Sequence, residues 1–186
     1  MTDSLVFIGD GLTSGGRWDE WFPEFNVHNF GVSGETTDAL LLRLQQVSEL
    51  EPNAVIVQIG TNDVGWRRSD EYIVRNVETI LYRLRKQLPD TRILAQSIPP
   101  RERDHVDVIR SINRHIRQFA PTLHAGYLDL WPMLADPDGE ISEGFSEDRL
   151  HLNDAGYAVW LAEMKLALEL LYETPTSTSV IPVQYI

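Results

Sequence analysis

No cysteine occurs among the 186 residues, which excludes disulfide bridges, thiolate metal sites and a cysteine nucleophile. Long apolar runs are missing as well, and no segment approaches the ~20 apolar residues that a membrane-spanning helix requires. Cations are scarce. Lys and Arg number 16 against 28 Asp and Glu, a formal net charge of −12. Nucleic acid and anionic membranes both need a surplus of cations, so neither is an expected partner. The opening residues, Met1-Thr2-Asp3-Ser4, lack the basic stretch and long apolar core of a secretory leader, and a cytoplasmic location is the default expectation. A hydrophobic fraction of 42% is that of a globular domain with a substantial core.

What is present is an alternation of two periods. Short apolar runs at Leu5–Ile8, Phe25–Phe30, Ala54–Ile59, Arg92–Gln96 and Tyr127–Leu130 are each followed closely by Gly or Pro. Runs of this kind suit parallel strands buried on both faces. Between them the spacing becomes helical: Leu40, Leu44 and Val47; Ile73, Val77, Ile80, Leu84 and Leu88; Ile109, Ile112, Ile116 and Phe119; Leu161, Met164, Leu168 and Leu171. Strand–helix alternation and right-handed crossovers predict one three-layer α/β/α domain over residues 1–172. Its sheet is expected to be flavodoxin-like and doubly wound, with five parallel strands in the order 2-1-3-4-5. Residues 173–186, rich in Thr, Ser and Pro at first, are expected to form a loosely docked tail.

In such a sheet, ligands bind beyond the carboxyl ends of the strands. Four polar segments fall there: Gly9-Asp10-Gly11-Leu12-Thr13, Gly31-Val32-Ser33-Gly34-Glu35, Gly60-Thr61-Asn62-Asp63, and Asp148-Arg149-Leu150-His151 before the last helix. Asp148 and His151 are spaced to act as orienter and general base. Read singly, the segments have plainer meanings: Asn62 as a helix N-cap, Asp148 capping the last helix, Gly34 permitting a tight turn. A nucleotide loop at Gly9–Gly11 is the rival reading; it lacks the third glycine and leaves Asp148 and His151 unused.

Taken together and in this order, the four segments resemble the signature blocks of the SGNH hydrolase superfamily, the GDSL-type esterases and lipases. The similarity runs from about Leu5 to Leu171. The resemblance implies a carboxylic ester hydrolase needing no metal and no cofactor, acting on a small-molecule ester or acylated substrate, with homo-oligomerisation compatible with it. It also implies a base at His151, an orienter at Asp148, and an oxyanion hole from the residue 11 N–H, the Gly34 N–H and the Asn62 amide. Asp10, Leu12 and Trp66 are expected to contact substrate, and Trp18, Trp21, Phe22, Arg67, Arg68, Arg101 and Arg103 are further rim candidates.

One position departs from the pattern: Gly11 stands where the family carries its nucleophilic serine. Glycine keeps the N–H and removes the attacking hydroxyl, so strongly impaired turnover is expected, with slow direct attack by water as a residual route. An engineered inactive variant and a natural ester-binding, non-catalytic member both fit. The otherwise unspoiled blocks favour the first. Ser14, Ser33 and Ser97 lie near the rim, but from sequence none stands where Gly11 does, and no substitute nucleophile is expected.

Overall fold

The computed structural model describes residues 2–173, so the expected tail falls, from Thr174 on, outside the described residues. Five strands, β1 (Ser4–Gly9), β2 (Asn26–Gly31), β3 (Ala54–Gln58), β4 (Arg92–Gln96) and β5 (Gly126–Leu128), form one sheet in the order 2-1-3-4-5. Every pairing is parallel. The long helices are α3 (Thr37–Ser48), α5 (Asp70–Gln87), α6 (Val106–Phe119) and α8 (Asp154–Glu173). Four α-helical turns of four or five residues accompany them: α1 (Gly11–Ser14) and α2 (Trp18–Trp21) ahead of α3, then α4 (Thr61–Gly65) and α7 (Trp131–Leu134).

Side chains alternate across a strand, and β1 shows what that does here. Val6 and Ile8 join a core with α3, α5 and α6, while Leu5 and Phe7 join a second core with α1, α2, α7 and α8. The stripes of α3 and α5 are buried as their spacing predicts. In the second core Phe7 stacks on Trp18 at 4.3 Å, and Trp160 meets Trp18 edge-on at 5.1 Å. The Trp160 indole N–H donates to Gln96 Oε1 at 2.7 Å, so this buried ring leaves no donor unmet.

Two expectations change. Burial on both faces holds for β1, β3 and most of β4, but β2 is an edge strand whose residues are partly or fully exposed. The last strand is also shorter than the run from Tyr127 to Leu130, because Leu130 caps α7 and the chain has already left the ladder.

Candidate active site

The first rim segment is shaped by a close approach. A side-chain carbon on Gly9 would sit 1.9 Å from the Gln58 carbonyl oxygen, so glycine alone lets β1 end this near β3. The chain then turns into α1, capped by Asp10, whose Oδ1 accepts from the Leu12 N–H at 3.0 Å. Asp10 is fully buried, and its Oδ2 has no partner among the described residues. Burial pushes its pKa up to about 7; the Leu12 amide opposes the rise, and the Glu35 and Asp63 carboxylates add to it.

These contacts correct two expectations. The Asp10 side chain is committed to the α1 cap beneath the surface, and Leu12 is buried in the second core. The Leu12 N–H is taken by Asp10 and its carbonyl accepts from the Tyr157 hydroxyl at 2.8 Å. Both side chains are buried, which sets them apart from the exposed groups of the rim.

Gly11 itself is open. The atoms nearest a side-chain carbon there belong to Ser33, with its Cα and its Oγ both at 3.5 Å, which is ordinary contact. Ser33 belongs to a β-turn closed by the Glu35 N–H on the Val32 carbonyl at 3.1 Å, with Gly34 at φ +77°. Only glycine adopts that third-position angle without strain. Nothing lies within 4 Å of where a Gly34 side chain would project. Among the described residues, neither the Gly11 nor the Gly34 N–H has a hydrogen-bond partner.

The third segment is tied to the second. Asn62 Nδ2 donates to the Glu35 carbonyl at 2.8 Å, which fixes the amide's plane and leaves its other N–H to point elsewhere. Asn62 lies inside α4 and Gly60 is the capping position, so the plain N-cap reading fails. The neighbouring Asp63 is fully buried and accepts from the Thr37 N–H at 2.9 Å, the Thr37 hydroxyl at 2.8 Å and Arg68 at 2.8 Å. Arg68 also pairs with Asp38 and stacks against Trp66 and Tyr72.

The fourth segment is a self-contained loop. Asp148 Oδ2 lies 2.7 Å from His151 Nδ1, while Oδ1 accepts from the His151 and Leu150 N–H groups at 2.7 and 3.0 Å. Asp148 stands well ahead of α8, so it does not cap that helix. Between the pair, Arg149 takes a left-handed φ of +63°, held by a bond to the Ile141 carbonyl and ion pairs to Asp136, Glu140 and Glu143. The hydrogen bond to His151, ahead of the two backbone amides, holds the Asp148 carboxyl well below the usual range. An ionised Asp148 accepts a hydrogen bond from the Nδ1–H, the tautomer that leaves Nε2 as the acceptor nitrogen of the ring. The His151 side chain is 66% exposed.

Direct contacts thus join Gly11 to Ser33 and Glu35 to Asn62, and the Tyr157 bond to Leu12 ties the first turn of α8 to the first segment. Trp66, a turn beyond Asn62, is exposed at the same rim. Other candidates are used elsewhere. Trp18 and Phe22 are core, Arg101 donates to the Thr61 carbonyl at 2.7 Å, and Arg103 bonds the Asp138 carbonyl. Ser97 is buried, its hydroxyl accepting from the Leu130 N–H. A groove of about 560 Å³ between β5 and α8 contains none of the site residues. Among the described residues no cluster of His, Asp or Glu is grouped to hold a metal ion, and no helix is long and apolar enough to cross a membrane.

The chain is similar to known proteins over most of its length. The profile of the GDSL-like lipase/acylhydrolase family matches residues 3–159. Platelet-activating factor acetylhydrolase IB subunit alpha1 of Homo sapiens is 31% identical over 179 residues, covering 90% of this chain and 76% of its own. Subunit alpha2 of the same enzyme from Rattus norvegicus is 28% identical over 183 residues, covering 92% and 79%. Among solved structures, a GDSL-like lipase of Bacteroides thetaiotaomicron superposes with a TM-score of 0.80 at 24% identity, over 91% of this chain and 89% of that one.

Proposed function

Because the chain belongs to the GDSL-like lipase/acylhydrolase family, we propose that its rim site binds a carboxylic ester and polarises it for hydrolysis. In this reading the acyl carbonyl oxygen sits between the Gly11 N–H, the Gly34 N–H and the free N–H of Asn62. His151, oriented by Asp148, takes the proton of the attacking group at Nε2 and returns it to the leaving alcohol. The observation that carries the reading is the His151–Asp148 pair at 2.7 Å, with Nε2 free and exposed. Trp66 is a platform for the acyl or alcohol portion, and the openness of the rim suits a short acyl group. The acetyl ester named in the mammalian relatives is of that size.

Position 11 supplies an N–H but no hydroxyl, so turnover by the chain as it stands is weak. The contact distances around Gly11 leave room for a serine side chain. Gly11→Ser raises hydrolysis of p-nitrophenyl acetate by about 10³-fold, the scale of a serine nucleophile's contribution. Adding His151→Ala removes that gain, since an unassisted hydroxyl is a poor nucleophile at neutral pH. A folded Gly11→Ser protein with no activity on esters, thioesters or acetylated sugars makes this a binding protein instead.

A further inference from the structure

We propose that Ser33 is the nucleophile of the chain as it stands, the residue whose hydroxyl accepts the acyl group in place of one on residue 11. The inference rests on the ester-hydrolase reading of the site. Its starting point is that the three atoms nearest a side-chain carbon at position 11 all belong to Ser33: Cα and Oγ at 3.5 Å and Cβ at 3.8 Å. A hydroxyl already stands next to the place where one on residue 11 would project. Ser33 is exposed, and its Oγ makes no hydrogen bond among the described residues.

The local backbone suits that task. Ser33 is the corner residue of a tight turn between β2 and α3, closed by the Glu35 N–H on the Val32 carbonyl. Hydrolases of another fold present their serine on a strand–turn–helix corner of this kind, with a glycine two residues before it and the N–H of the following residue as an oxyanion donor. Here Gly31 precedes Ser33 by two, and a side chain on it would collide with the Ser14 backbone at 2.2 Å. Gly34 follows, with its N–H unengaged and open space before it. The match is incomplete, because Glu35 stands where that corner carries a second glycine. The Glu35 carboxylate is held in a two-pronged pairing with Arg43, whose positive charge offsets its own beside the attacking oxygen. Absence of a side chain at Gly11 leaves Ser33 unshielded from that direction, where a serine would stand in front of it.

The chemistry balances with the groups present. Ser33 Oγ bonds to the ester carbonyl carbon as its proton passes, directly or through one water, to His151 Nε2. The carbonyl oxygen becomes the oxyanion held by the backbone donors. Its collapse breaks the ester C–O bond, and the alcohol leaves with the proton from His151. Water then adds to the acyl-Ser33 ester, His151 again taking the proton, and the carboxylic acid departs with Ser33 restored.

The test is covalent capture. The full chain is treated with a fluorophosphonate and, separately, with p-nitrophenyl acetate in a rapid acid quench, and the adduct is mapped by peptide mass spectrometry. The expected result is one adduct on Ser33, absent in Ser33→Ala and in His151→Ala, with residual esterase activity of Ser33→Ala at the uncatalysed background. In Gly11→Ser the label moves from Ser33 to residue 11. Residual hydrolysis that persists in Ser33→Ala overturns the proposal in favour of direct attack by water, and an adduct at any other residue, or none at all, overturns it too. If Gly11→Ser is itself inert, it is the ester-hydrolase reading that has failed, so the two failures are separable. Ser33 lies on an exposed turn that takes alanine without burying or orphaning any group, and circular dichroism of the variant checks that it is folded.

Discussion

Asp10 is a carboxylate whose charged form is costly to bury. It is fully buried, and burial raises its carboxyl to about 7. The unfolded chain releases this proton near pH 3.9, so between that value and about 7 the folded chain holds the extra proton. Stability from this group is therefore complete below the window and declines as pH rises through it. Urea midpoints measured from pH 4.5 to 8 should fall for the parent and fall less steeply for Asp10→Asn; equal slopes would refute the assignment. Asp148 behaves in the opposite sense, since its carboxyl is held low by His151 and by two backbone amides. Being half-exposed, it contributes far less to stability. Sequence reading put Asp10 and Asp148 together as site residues. What separates them is burial, which spacing alone does not report for a carboxylate in a Gly-Asp-Gly turn.

Among the elements, α4 is too short to hold its own position and is clamped from outside. Asp63 takes the Thr37 N–H and hydroxyl from the start of α3 and an Arg68 guanidinium, while Arg101 holds the Thr61 carbonyl. Thr37 also accepts from Asn76 of α5, so three helices meet at one carboxylate. Asp63→Ala leaves a buried amide and hydroxyl and a partly buried guanidinium without their partner. A loss of about 3 kcal/mol is expected, with Asp63→Asn losing less, as chemical denaturation will show. The long elements were readable from sequence because they bury whole stripes, and their strand order followed from crossover handedness. The helical turns α1, α2, α4 and α7 were not, since four or five residues carry no periodicity to detect. Ser33 is readable from sequence as a rim residue, but not as the neighbour of Gly11. The two are separated along the chain and meet only because β1 and β2 are neighbours with Gly9 and Gly31 in register.

For the molecule as a whole, the site draws on both sides of the sheet. Gly11 and His151 belong to segments anchored in the core beneath α8, whereas Gly34 and Asn62 lead into helices of the opposite core. The sheet between them is the common frame. The whole chain carries a formal charge of −12, and self-repulsion of this sign opposes the compact state. Raising NaCl from ~0.02 to ~0.5 M shortens the screening length several-fold and should raise the melting midpoint by a few degrees. A falling midpoint would mean that the ion pairs around Arg149 and Arg68 matter more than the net charge.

The exposed Trp66 gives the site an optical address. Of the five tryptophans, Trp18 and Trp160 are sealed in the core, Trp21 and Trp131 are partly covered, and Trp66 is 67% exposed a turn beyond Asn62. Collisional quenching by acrylamide therefore reports chiefly on this one indole. A bound acyl compound laid across it reduces the quenching constant and shifts the emission to the blue, and Trp66→Phe abolishes both changes. Occupancy of the site becomes measurable with no product needed.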